Sequence, residues 1–327
     1  MTNSSRTRRP GRLTGLILAV ALVTAACTTD GNDRSTRGDT DGAGAIAAVV
    51  ASYDLVAGRN GRFIVGLFGS DRTQTVAFGT VSFTFASTAD DNTPTGPFEA
   101  TFLPIPGQDL EPDRTGPRLV GPSEATGVYG APEVTFDQPG FWEVTVTATL
   151  DGRTETATAA FEVLESSAIP AVGDSAPRTT QPLVGDPEVE AKAIDSRATT
   201  DRPVPDAELH DITIADALDA ERPLLVVVST PTFCVSRFCG PITESVEELA
   251  ADFVDTDMAF VHLEVWADFE SNMVNSAARE WVAPDPDTAG AEPWVFVVDR
   301  SGTITHRFDN VATDDAMRAA VEDVVEP

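Results

Sequence analysis

Apolar and polar residues alternate along much of the first half of the chain. The alternation is clearest at residues 80–85 and 141–150, and it is the pattern of a strand with one buried face. Asp151-Gly152 follows the second run directly and favours a two-residue hairpin turn, after which residues 156–163 supply the returning strand. Turn signals separate the other short runs. The pattern therefore predicts an all-β region.

A different pattern begins at residue 223. Residues 224–228 form a continuous apolar run, which is typical of a strand buried on both faces of a sheet. Pro241 then opens a segment whose apolar residues recur at helical spacing, so a helix is expected over 241–254. The alternation of strands and helices predicts an α/β arrangement. The further elements expected are strands at 258–266, 293–298 and 303–308, and helices at 214–220 and 313–325.

The chain of 327 residues is long enough for about two domains. Short strands with regular turn signals favour a β-sandwich of immunoglobulin type, so the fold class expected is an immunoglobulin-like sandwich followed by an α/β domain. The segment between them is rich in Pro, Ala, Ser, Thr and Asp and has no period, which predicts a linker. The boundaries expected are a signal peptide at 1–26, a flexible tether at 27–45, the sandwich at 46–164, the linker at 165–205 and the α/β domain at 206–327.

The N-terminus has the build of an export signal. Arginines precede an apolar run over residues 13–23, and small residues lead to Cys27. Residues 23–27, Val-Thr-Ala-Ala-Cys, resemble the bacterial lipoprotein signal, although Thr24 stands where that family usually has leucine. The resemblance implies cleavage before Cys27 and a lipid anchor on it at the outer face of the cell membrane. An ordinary secretory signal is the alternative.

Acidic residues greatly outnumber basic ones. The formal net charge is −30, and residues 1–26 contain four arginines and no acid, so the rest of the chain is more acidic still. Such a chain repels nucleic acid and anionic lipid. Nucleic acid is therefore not an expected partner, and membrane contact is expected through the lipid alone.

The chain has three cysteines, and lipidation of Cys27 would leave Cys234 and Cys239. A lone pair outside the cytoplasm is expected to be either a structural disulfide or a redox couple. Residues five apart within one helix are too far apart for a disulfide. Cys234 is therefore expected in the loop after the first α/β strand, with Cys239 at the first helical turn, where the helix N-terminus favours a thiolate.

Three stretches resemble the thioredoxin family: Phe233-Cys234 with Cys239-Gly240-Pro241, Glu292-Pro293 before a strand, and the hairpin turn at 299–302. The resemblance implies a thioredoxin-like fold in which Pro293 is cis and, with Glu292, contacts the substrate chain. A trans proline at a strand start is the alternative. Four residues separate the cysteines here, where thioredoxins have two. We favour Cys234 as the attacking cysteine and Cys239 as its resolving partner, although the Cys-Gly-Pro tripeptide favours the reverse.

Residues 127–129 and 136–144 resemble the small extracytoplasmic sandwich domains of the YtkA type, which sometimes accompany copper proteins. Residues 46–164 contain no His, Cys or Met, so soft-metal binding by this region has no support. We interpret the region as a spacer or docking module.

These features favour a membrane-anchored thiol–disulfide oxidoreductase that acts on protein thiols or disulfides outside the cytoplasm, with no cofactor and no metal site. Three alternatives remain. A copper chaperone similar to the Sco proteins would use the cysteines with His262 or His306. A cell-envelope interaction module would use the disulfide as a staple. A peroxiredoxin-like peroxidase is disfavoured because the residues before Cys234 do not match that family's Thr-x-x-Cys pattern.

Overall fold

The structure is a computed structural model that describes residues 45–89, 93–108, 110, 116–199, 201–236, 238–283 and 290–325. The signal peptide predicted at 1–26, Cys27 and all of the predicted tether except Ala45 lie outside the described residues. Among the described helices, none has both the length and the apolar character needed to cross a bilayer.

The first half folds into a nine-stranded antiparallel sheet. Its strands run in the order β6-β3-β2-β7-β5-β4-β8-β9, and β1 pairs with β2. The predicted alternation at 80–85 and 141–150 is confirmed by β4 and β8, and the predicted hairpin by the pairing of β8 with β9 through Asp151 and Gly152, both at positive φ. The strands are β1 (Ile46–Val50), β2 (Asn60–Gly69), β3 (Thr75–Ala77), β4 (Thr80–Ser87), β5 (Thr95–Pro104), β6 (Arg118–Val120), β7 (Gly127–Thr135), β8 (Gly140–Leu150) and β9 (Arg153–Val163).

One continuous sheet encloses the core of this half by folding over itself. The Phe63 ring of β2 lies 4.8 Å from Phe85 of β4 and 4.9 Å from Phe161 of β9, measured between ring centroids. Trp142 and Tyr129 are both buried in this core. The coarse prediction of a β-rich, layered first half is therefore confirmed.

The second half contains a four-stranded sheet in the order β11-β10-β14-β15, in which β10 and β11 are parallel and the other pairs antiparallel. Leu224, Val226 and Val228 of β10 pack with α1 and α3, and Leu225 and Val227 pack with α2 and α4. The strand predicted from the apolar run is therefore buried on both faces. The elements are α1 (Ile214–Asp219), β10 (Leu224–Ser229), α2 (Cys239–Asp252), β11 (Ala259–Glu264), β12 (Trp266–Asp268), β13 (Met273–Val274), α3 (Ser276–Val282), β14 (Trp294–Val298), β15 (Ile304–Asp309) and α4 (Asp314–Val325).

Residues 165–205, predicted as a linker, do connect the two sheets, but they also pack along the second one. Ala176 N donates to the Gly302 carbonyl, and Thr179 accepts a hydrogen bond from the Trp281 indole of α3. Gln181 is buried beside the start of α1. This connecting segment (residues 165–205) makes backbone and side-chain hydrogen bonds to the sheet and helices of the second half, which its polar composition did not indicate.

The two halves meet through polar contacts. Arg62 of β2 donates to the Asp309 carboxylate at 2.9 Å and to the Val311 carbonyl at 2.6 Å. Arg307 of β15 donates to the Asp54 carboxylate at 2.6 Å. All four ionic side chains are less than one fifth exposed, so these contacts are much less screened than surface ion pairs.

Candidate functional site

A disulfide joins Cys234 to Cys239 between the end of β10 and the start of α2, with Cα atoms 6.0 Å apart. Cys234 is partly exposed in the loop, and Cys239, in the first turn of α2, is 0% exposed. Val235 between them is 94% exposed. These positions agree with the geometry expected from the five-residue spacing. One cysteine of the pair is partly exposed and the other is buried. Arg237, whose charge could lower the pKa of a neighbouring thiol, lies outside the described residues.

Buried hydroxyl groups hold the helix start against the end of β10. The Thr243 hydroxyl donates to the Cys239 carbonyl at 2.8 Å, and it lies 2.8 Å from the Ser229 hydroxyl. The Cys234 sulfur in turn lies 3.2 Å from the Ser236 hydroxyl. These contacts constrain the loop at both ends, so the two sulfur atoms are held by the fold as well as by their bond.

The Glu292 carboxyl group lies beside the disulfide. One of its oxygens and the two sulfurs all lie within 4.8 Å of one another, and the Glu292–Pro293 peptide is cis, as the sequence resemblance implies. Burial, followed by the negative charge of Glu264, raises the pKa of Glu292 to about 7. A carboxyl group with this pKa can accept or release a proton at neutral pH. Because Glu292 was predicted only as a substrate contact, its proximity to the sulfurs is new.

Tyr53, which follows β1 of the first sheet, reaches the same place. Its hydroxyl donates to the Glu292 carbonyl at 2.9 Å, and its ring lies 6.0 Å from that of Trp294. Burial raises the pKa of Tyr53 above its ordinary value, so the phenol is neutral. The first half therefore contributes a side chain to the disulfide site. No local sequence pattern marks Tyr53, because the contact spans 239 residues of chain.

The connecting segment supports the cysteine loop from the other side. The Ser196 amide donates to the Glu264 carboxylate at 2.8 Å, and the Ser196 hydroxyl accepts from the Thr232 amide at 3.1 Å. Burial raises the pKa of Glu264. Phe233, next to Cys234, stacks on Phe269 with ring centroids 4.0 Å apart. The loop is thus held by residues from three parts of the chain.

The histidines considered for a copper site do not join the cysteines. Within the described residues, the group of potential metal ligands that includes both sulfurs contains Glu292 and neither His262 nor His306. His262 lies beside Asp195 and His210, and His306 Nε2 lies 3.6 Å from Asp323 of α4. His210 was not singled out from the sequence. Its polar surroundings in the chain gave no sign that it is buried.

A cleft of roughly 520 Å³ lies at the junction of the two halves, lined in part by Arg59, Val134 and Trp294. Neither cysteine lines it. Arg62 and Arg307, which also face the cleft, are paired with carboxylates, so the cleft is less basic than its arginines suggest.

No protein-family model matches this chain, and no curated protein does. The disulfide, its neighbouring carboxyl group and the unequal exposure of its sulfurs are therefore the basis on which a function is proposed.

Proposed function

We propose that the protein is an extracytoplasmic thiol–disulfide oxidoreductase, anchored to the membrane by a lipid on Cys27, whose redox couple is Cys234 and Cys239. The observation that carries the proposal is a disulfide at a strand–helix junction in which one cysteine is partly exposed and the other is buried. That asymmetry suits an attacking cysteine and a resolving cysteine. The export signal predicted from residues 1–26 supports a location outside the cytoplasm.

We further propose that the second half has a thioredoxin-like fold and the first an immunoglobulin-like one. The first assignment is supported by a sheet that combines a parallel pair with a hairpin, by helices on both faces, and by cysteines directly after a central strand. The second is supported by the antiparallel sheet that encloses an aromatic core. The role proposed for the sandwich is to place Tyr53 against the Glu292 backbone.

In the reductive direction, the Cys234 thiolate attacks a disulfide of the partner protein, and one partner thiolate leaves. The Cys239 thiolate then attacks the Cys234 sulfur of the mixed disulfide, which restores the Cys234–Cys239 bond and releases the second partner thiolate. Two electrons pass to the partner, whose two sulfurs take up two protons. The same steps in reverse oxidise a partner dithiol. Glu292 is placed to take the proton from a thiol of the pair and to return it.

Redox titration of the full-length chain tests the proposal, with each cysteine identified by alkylation and peptide mass. We expect a reversible midpoint above about −270 mV, the thioredoxin value. Cys239→Ser should accumulate a mixed disulfide on Cys234, Cys234→Ser should form none, and Cys27→Ser, the control, should exchange like the wild type. A pair that stays oxidised below about −300 mV would contradict the proposal and favour a structural disulfide in an interaction module.

Copper carriage is the second candidate, because the reduced sulfurs and Glu292 form a set of possible ligands. Thiolates suit Cu(I), but a carboxylate does not. Stoichiometric Cu(I) binding by the reduced chain, abolished in Cys234→Ser and unaffected in His262→Gln and His306→Gln, would favour this function over disulfide exchange.

A further inference from the structure

Three buried side chains from separate parts of the second half converge away from the disulfide. Asp195 follows a short 3-10 turn in the connecting segment, His210 ends the 3-10 turn Ala207–His210, and His262 lies in β11. All three are 1% exposed or less. His262 Nδ1 lies 3.4 Å and His210 Nε2 lies 3.6 Å from the same Asp195 oxygen. A carboxylate oxygen and two imidazole nitrogens therefore face one point.

The hydrogen bonding of His262 leaves one of its two ring nitrogens without a partner. Its Nε2 lies 3.3 Å from the Ser229 carbonyl, and a carbonyl oxygen only accepts, so Nε2 carries the hydrogen. In the neutral ring Nδ1 then presents a lone pair to the Asp195 carboxylate, which also only accepts. Neither His262 Nδ1 nor His210 Nε2 makes a hydrogen bond. Two acceptors that face each other in a buried site need a cation between them, and either a shared proton or a metal ion meets that need.

The distances suit a metal ion. Zinc in a tetrahedral site binds nitrogen and carboxylate oxygen at about 2.0–2.2 Å, so neighbouring ligand atoms are about 3.3–3.6 Å apart. The two measured separations, 3.4 and 3.6 Å, correspond to such edges, and all three ligand atoms lie within 4.8 Å of one another. We propose that Asp195, His210 and His262 bind a divalent transition-metal ion of the zinc type.

The surrounding charges fit a cation. Arg197 binds the Asp195 carboxylate through two nitrogens, with its terminal nitrogen at 2.7 Å, and it binds Asp206 at 2.5 Å. Two carboxylates and one guanidinium leave one net negative charge beside the two imidazoles. Arg197 also fixes the orientation of the Asp195 carboxylate, as groups behind a ligand commonly do. A divalent ion at the point that the three ligands share would change the net charge of this cluster from −1 to +1.

The place of the site in the fold indicates a structural role. The ion would fasten the connecting segment and the 3-10 turn Ala207–His210 to β11. The neighbour of Asp195, Ser196, holds both Glu264 and the Thr232 amide of the cysteine loop. Metal binding would therefore stabilise the support of the loop without any ligand from the disulfide. The site does not depend on the proposed redox function, and it departs from the sequence-based expectation of no metal.

Refolding the full-length chain with Zn²⁺ or with a chelator tests the site. The cysteine pair is kept oxidised and Cys27 is alkylated, so that no thiolate competes. We expect one equivalent of zinc to remain after desalting, a higher melting temperature than in the chelator sample, and an electronic spectrum of the Co²⁺-loaded chain without a thiolate charge-transfer band. Refolded chain that retains no zinc would overturn the proposal, as would a thiolate band.

His262→Gln and Asp195→Asn should lose the bound zinc and its effect on the melting temperature. His306→Gln is the matched control, because it removes the third histidine of the chain from a partly exposed position on β15. It should bind zinc like the wild type. Zinc retained in all three variants would overturn the proposal. If the buried variants fail to fold, the wild-type zinc content decides, and the redox titration is unaffected by either result.

Discussion

Glu292 contacts its surroundings through both its backbone and its side chain. Its backbone accepts the Tyr53 hydroxyl and its carboxyl group lies beside two sulfurs, a place from which water is partly excluded. Desolvation and the nearby Glu264 both disfavour the anion. A protonated carboxyl group at this point is useful for thiol chemistry, but it makes the stability of the fold dependent on pH.

We expect Glu292→Gln to remove a pH dependence of folding. The folded-state pKa of about 7 is above the ordinary glutamate value, so the folded chain binds more protons than the unfolded chain between about pH 4.3 and 7. The contribution of Glu292 to the stability of the wild type is therefore complete below this pH range. It falls as the pH rises through the range. At pH 8 the variant should be more stable by about 1–2 kcal/mol, a figure reduced for partial solvent contact.

Urea unfolding of wild type and variant at pH 5, 6.5 and 8 measures the effect. Glu188→Gln is the control, because Glu188 is an exposed glutamate and its replacement should change stability by less than about 0.5 kcal/mol. Parallel stability curves for wild type and Glu292→Gln would contradict the assignment. The disulfide-exchange rate of the wild type should also change with pH near 7, and the rate of Glu292→Gln should not.

At the scale of elements, the connecting segment packs against the second sheet and its helices. Gln181 shows how this is achieved. Its side-chain amide donates to the Ile212 carbonyl at 2.9 Å and accepts from the Ile214 amide at 3.1 Å. One side chain thus satisfies two backbone groups at the start of α1, next to the cap that Thr213 makes with Asp216. The Ile214 N–H belongs to the first turn of α1, where backbone N–H groups have no partner within the helix.

We expect Gln181→Leu to destabilise the chain by about 2–4 kcal/mol, because it leaves the partly buried Ile212 carbonyl and the buried Ile214 amide without their partner. Gln138→Leu, at an exposed position in the connection between β7 and β8, should cost less than about 0.5 kcal/mol. Equilibrium unfolding in denaturant measures both. Equal, small effects would mean that the connecting segment detaches from α1 at little cost.

At the scale of the whole molecule, the two sheets belong to one compact unit. Arg307 is central to their junction. Besides Asp54 it donates to the Pro170 carbonyl at 3.1 Å, and its guanidinium lies 5.3 Å from the centre of the Trp294 ring. It therefore links the first sheet, the connecting segment and the strand that follows Pro293. The disulfide site lies beside this junction, so its geometry depends on both halves.

We expect Arg307→Ala to cost about 2–4 kcal/mol, because it leaves the Asp54 carboxylate buried without its cation. The matched control is Arg300→Ala. Arg300 forms an ion pair with Asp257, and both side chains of this pair are nearly half exposed. That loss should be below about 1 kcal/mol. Calorimetry should also show broader or split unfolding for Arg307→Ala only. Equal losses in the two variants would contradict a cooperative junction.

Much of this architecture could be predicted from local sequence. The alternation at β4 and β8, the hairpin at Asp151-Gly152, the doubly buried β10 and the loop that holds Cys234 each depend on a few adjacent residues. Their side-chain period, turn chemistry and reach decide the local backbone almost alone. The positions of the two cysteines followed from the same local logic, because a five-residue spacing at a strand–helix junction allows few geometries.

The tertiary structure alone decided which distant groups share a site. Tyr53 meets Glu292 across 239 residues, Ser196 meets Glu264 across 68, and His262 meets Asp195 rather than the cysteines. The order of the strands and the course of the connecting segment determine these contacts, and no periodicity records either. The sequence by itself therefore determined the elements and the disulfide loop, and folding decided the surroundings of that loop, since pKa values and ligand sets depend on neighbours in space.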